Sequence, residues 1–167
     1  MDKYHDSVKR LSRIVLLVAL AIVLRLAFGA FPNIKPLTAI FLVALSYMGL
    51  MDAWLVMALT MVGSGLLFGF GPVVLWQVLS FGLVQLLWWG LVRPFLHKEH
   101  FAIWLQSLLA AALVYVYGFV ISILSAWQFG LAPFIFWLNG LFFDSLHAVS
   151  TFLFYPIISH IFRRFYK

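Results

Sequence analysis

The chain has 167 residues, 65% of them hydrophobic and only 10% charged, with a mean hydropathy of +1.09 and a net charge of +6. A soluble domain is about half apolar and about a quarter charged, so this composition excludes an ordinary water-soluble globule and asks for a bilayer. The chain has no Cys, which excludes disulfides, thiolate metal sites and Cys nucleophiles.

The basic stretch MDKYHDSVKRLSR leads into a first apolar segment, residues 11–31. That pattern is shared with signal peptides, but Ala27-Phe28-Gly29-Ala30 is a weak cleavage site and further apolar segments follow, so a retained first span is expected. Segment two, residues 37–50, follows Phe31-Pro32-Asn33-Ile34-Lys35-Pro36. It reaches only about two thirds of the hydrocarbon thickness, so a tilted, kinked or bundle-buried helix is expected. Segment three, residues 53–69, closes at Phe68-Gly69-Phe70-Gly71-Pro72. Segments four (73–92), five (101–126) and six (133–162) are each long enough to cross. The runs are continuous and do not alternate every second residue, which excludes a barrel. The expected fold is an all-α membrane bundle of six spans, one domain over 1–167.

Basic residues set the orientation. With the N-terminus inside, Lys3, Lys9, Arg10, Arg13, Arg93, Lys98, Arg163, Arg164 and Lys167 fall on the inner side and only Lys35 on the outer. Nine against one places both termini in the cytoplasm and makes nucleic acid an improbable partner for the positive charge. Trp54, Trp88, Trp89 and Trp104 are expected near the inner interface and Trp127 near the outer.

Ionisable groups inside apolar spans carry the functional information. Arg25 follows IVLLVALAIVL. It either snorkels about 9 Å to the outer interface or finds a partner within the bundle. Segment six holds Asn139, Asp144 and His147, which share an arc of about 140° on a helix. That polar face is either a structural hydrogen-bond cluster or the wall of a ligand pocket. An Arg25–Asp144 pair is the economical way to accommodate both charges. Gln77, Gln85 and Gln106 read as helix glue. No metalloprotease, nucleophile-elbow or paired-acid motif is present.

The layout, with Arg25 through Pro36, the Gly-rich exit at 68–72, and NGLFFDSLHAVSTF from Asn139 to Phe152, resembles the substrate-binding S-components of energy-coupling factor (ECF) vitamin transporters. The resemblance implies a binding subunit with no ATPase activity, no catalytic residue, no metal and no cofactor of its own. It implies a vitamin pocket open to the outside, formed by Arg25, Asn33, Lys35, Phe70, Trp76, Trp137, Asn139, Asp144 and His147. It also implies docking on a transmembrane T-component with two cytoplasmic ATPases. In the family, docking uses small residues on the first helix, often as AxxxA. Here Ala19, Val23 and Ala27 form an imperfect version. The aromatic surround is most similar to cobalamin-specific S-components, with haem, pantothenate or another vitamin next. A membrane enzyme acting on lipid or isoprenoid, and an assembly subunit of a larger complex, are the competing expectations.

Overall fold

The computed structural model describes residues 2–96 and 102–166. Lys98 and Lys167, two of the residues expected on the inner side, lie outside the described residues, as does Phe101 at the predicted start of segment five. All regular structure among the described residues is helical, in six helices: α1 (Asp2–Ala27), α2 (Leu37–Met48), α3 (Leu50–Phe68), α4 (Pro72–Leu96), α5 (Ile103–Phe129) and α6 (Pro133–Phe165). Four of these, α3 to α6, are long and apolar enough to cross a membrane, and α2 is a shorter apolar helix. α1 matches them in length but carries Arg10, Arg13 and Arg25. This is the make-up of a membrane protein.

Each boundary has a local cause. α1 starts earlier than the apolar run, since no proline or glycine interrupts its polar first turns, and it ends ahead of Pro32. Pro36 disfavours helical geometry at Lys35, so α2 begins only at Leu37. Gly49, at φ 87°, breaks the chain between α2 and α3 in a conformation that side chains resist. Pro72 and Pro133 open α4 and α6 at the first helical turn, where the missing N–H is not needed. Within α4, Pro94 has no N–H for the preceding turn. The helix widens just ahead of it into a π-helical stretch, Trp88–Val92, in which the Arg93 N–H reaches the Trp88 carbonyl.

α2 is the axis of the bundle. Every residue from Leu37 to Leu45 is buried, and the helix is apolar on all sides. The other helices surround it in the order α1–α3–α4–α5–α6, and each touches α2. Burial inside the bundle, one of the options left open by its length, is thus the observed solution. Gln85 donates from Nε2 to the carbonyls of Phe41 and Ala53, both at 3.3 Å, tying α4 to α2 and α3. Phe41 and Phe81 meet edge to face, 5.2 Å apart. Trp88 is fully buried, donates to Ser46 Oγ at 3.3 Å and packs on Tyr155, so it belongs to the core and not to an interfacial belt. Trp89, Trp104 and Trp127 do face outward.

Near the termini, Arg10 on α1 donates from Nε to both carboxylate oxygens of Asp52 on α3, each at 2.9 Å. This contact raises the Arg10 pKa further.

Candidate functional site

The residue that stands out energetically is Arg25. A guanidinium in the last turn of α1 needs partners if it is not to face lipid. It finds them on α3 and α4: Nη1 donates to Ser64 Oγ and contacts Met61 Sδ at 3.5 Å, and Nη2 donates to Gln77 Oε1 at 3.1 Å. The guanidinium also lies 5.4 Å from the Phe68 ring centroid. Arg25 is therefore held inward by neutral groups and does not snorkel.

Beside it is a cavity of about 60 Å³. Arg25 forms one wall with Met61 and Gln77, and Asn33 and Lys35 of the 28–36 loop form a second. Leu37 of α2, Phe81 of α4, Tyr117 of α5 and His147 of α6 complete it. His147 Nε2 shares a 2.7 Å hydrogen bond with Thr38 Oγ1, which fixes its ring against α2. The Phe81 and Tyr117 rings pack 4.2 Å apart, and Tyr117 meets the His147 ring edge to face at 5.5 Å. The loop is tied to α6 at two points. Asn33, at φ 56°, donates from Nδ2 to the Phe143 carbonyl at 3.2 Å, and Ser150 Oγ donates to the Lys35 carbonyl at 3.0 Å. Burial, with the charge of Arg25 adding to it, lowers the pKa of the Lys35 ammonium below its ordinary value.

Four of the nine residues expected in the pocket thus come together: Arg25, Asn33, Lys35 and His147. The other five lie elsewhere. Asp144 is buried, but its carboxyl covers Gly118 on α5 so closely that a Cβ there would overlap it, and its Oδ2 has no hydrogen-bond partner among the described residues. No ion pair joins Arg25 to Asp144, because Arg25 faces α3 and α4 while Asp144 faces α5. Asn139 faces outward, at the far edge of the arc that it shares with Asp144 and His147. Trp76 donates to Gln128 Oε1 at 2.6 Å and packs on Trp127, clasping α4 to the end of α5. Trp137 packs between Phe119 and Phe134. Phe70 is 63% exposed and lines a separate apolar groove between α3 and α4.

Gln77, read from the sequence as helix glue, and Tyr117, not among the expected site residues, also line the cavity. The available signal was their position: Gln77 stands one turn into α4 and Tyr117 midway along α5, both with polar atoms at depth. A second cavity, of about 200 Å³, lies toward the termini among Tyr47, Arg93, Gln106, Tyr155 and Arg163. On α1, Ala19, Val23 and Ala27 all face outward, away from the Arg25 wall.

Comparison with protein-family models, curated proteins and solved structures finds no match for the chain.

Proposed function

We propose that the chain is the substrate-binding membrane subunit of an ECF-type importer, capturing a vitamin-class micronutrient from outside a bacterial cell. In this reading the chain crosses the plasma membrane six times, the short α2 marking one crossing inside the bundle, and both termini lie in the cytoplasm. A T-component and two ATPases dock on the outward α1 face that carries Ala19, Val23 and Ala27. The chain itself performs no catalysis and supplies no cofactor. The observation that carries the reading is Arg25, drawn into the bundle beside Lys35 and His147 at a polar cavity reached by the 28–36 loop. A charge kept at that depth marks a ligand path more often than a packing device.

Ligand size is weighed against the cavity. Ligand pockets commonly span about 300–1,000 Å³, whereas this one holds about 60 Å³. Cobalamin, favoured by the aromatic surround, would require the lining helices to part widely. A compact micronutrient such as pantothenate requires far less, and we place it ahead of cobalamin.

The test is purification of the chain from its own membrane, with mass spectrometry of what accompanies it. The expected result is a retained small molecule, together with a T-component and an ATPase pair. Turnover of a lipid or isoprenoid substrate by the isolated chain, with neither companion, would sink the reading.

A further inference from the structure

Arg25 and Lys35 are the charged residues lining the cavity, and both are cations. No carboxylate among the described residues lines it, and the Asp144 carboxyl is turned onto Gly118. The hydrogen bonds of Arg25 go to neutral atoms. The Lys35 ammonium has neither a hydrogen bond nor an ion pair among the described residues, although its own backbone carbonyl is fixed by Ser150. Leu37, in the first turn of α2, also lines the cavity, and the α2 N-terminus has no side-chain cap. The free N–H groups of a helix start carry partial positive charge and favour anions. Two cations therefore share one small space beside the start of a helix, with no carboxylate among the lining residues. The lowered pKa of Lys35 agrees, since burial and, after it, Arg25 oppose its charge.

We propose that this cavity binds the carboxylate of a small organic acid between Arg25 and Lys35, over the N-terminus of α2. The proposal rests on the ligand-site reading above and narrows it to anionic micronutrients. A carboxylate would satisfy the free ammonium, offset the repulsion between the two cations and accept from the α2 N–H groups. Charge-assisted hydrogen bonds of this kind are stronger than neutral ones. His147 and Gln77 would flank the bound acid and select among acids by shape and hydrogen bonding.

The test uses the full chain in phosphatidylcholine nanodiscs and matched acid and neutral pairs: pantothenate and panthenol, biotin and biotinamide, nicotinate and nicotinamide, acetate and acetamide. Thermal unfolding is followed at constant ionic strength. At least one acid is expected to raise the midpoint, with its neutral counterpart binding at least about tenfold more weakly. Lys35→Gln should remove most of that difference while the variant still unfolds cooperatively. Arg25→Lys should keep part of it. The inference is overturned if no acid acts beyond its neutral counterpart, or if Lys35→Gln binds the acid as the parent does. It is overturned too if phosphatidylglycerol nanodiscs stabilise the chain and the acids do not, since the site would then hold a lipid headgroup. Tight binding of a neutral vitamin would overturn the carboxylate inference and leave the transport reading standing. Acid binding without any uptake by the assembled importer would do the reverse.

Discussion

At the scale of single residues, the sharpest contrast is between Arg25 and Asp144. Both were legible as charges in apolar surroundings, and both are drawn inward. Their partners were not legible, because pairing depends on which helices become neighbours. Asn139 shows the limit of an angular argument: an arc of about 140° is wide enough for its edge to leave the bundle. The Asp144–Gly118 contact makes a direct prediction. Gly118→Ala should destabilise the chain by about 1–3 kcal/mol through overpacking. Most of that loss should vanish in an Asp144→Ala background, because the two sites share one space. Additive losses in a double-mutant cycle of denaturant unfolding would contradict the contact. Lys35 makes a second prediction. Its folded pKa lies below the ordinary 10.5, so the folded chain releases this proton before the unfolded chain does. Its charge therefore opposes folding below the folded pKa, and that opposition fades as pH rises from there towards 10.5. Lys35→Met should melt higher than the parent at neutral pH, with the gap closing in alkaline buffer. A gap that widens with pH would reverse the sign. If the cavity binds a ligand as proposed, a residue there that disfavours folding fits the common trade between stability and function.

At the scale of elements, prolines, glycines and charge spacing were enough to find six helices, with ends displaced by a few residues at most places. The larger difference is α1, which extends back to Asp2 because helix propensity does not stop where hydrophobicity does. The short second segment was correctly marked as unusual. Its central position was not readable, since an all-apolar helix looks the same facing lipid or protein. The π-helical stretch before Pro94 was also invisible, because a proline announces a disturbance without specifying its form. The contrast between inner and outer alanines tests the arrangement. Ala44 is fully buried in α2, so Ala44→Leu should cost about 1–3 kcal/mol. Ala19 faces outward on α1, so Ala19→Leu should change stability by less than about 0.5 kcal/mol. Similar melting shifts for the two would refute the central placement of α2.

At the scale of the whole molecule, the order of helices around α2 was beyond the reach of the sequence, because apolar faces that touch lipid and apolar faces that touch helices have the same composition. Of the four residues that meet at the cavity, Arg25 and His147 were found because polarity at depth is rare, whereas Asn33 and Lys35 of the first loop were expected through the family resemblance. Orientation is open to a clean experiment, since the chain has no Cys of its own. Single cysteines at His5, Ala132 and Arg164 occupy exposed positions. With six crossings, an impermeant maleimide applied to whole cells should label Ala132→Cys and spare His5→Cys and Arg164→Cys until the membrane is opened. Labelling of either terminal site from outside would remove the six-span, inner-termini arrangement.

The brevity of α2 reaches back to biogenesis. Twelve residues rise about 18 Å, well short of the hydrocarbon layer. Such a segment has poor grounds to stay in lipid as it leaves the ribosome, and its flanking backbone would meet acyl chains without partners. It has to wait for α3, joined to it through Gly49, and settle as the inner arm of a hairpin. A nascent chain stopped at Gly49 should therefore leave this arm at the membrane surface, and one extended through Phe68 should draw it in, as glycosylation-site mapping in microsomes would record.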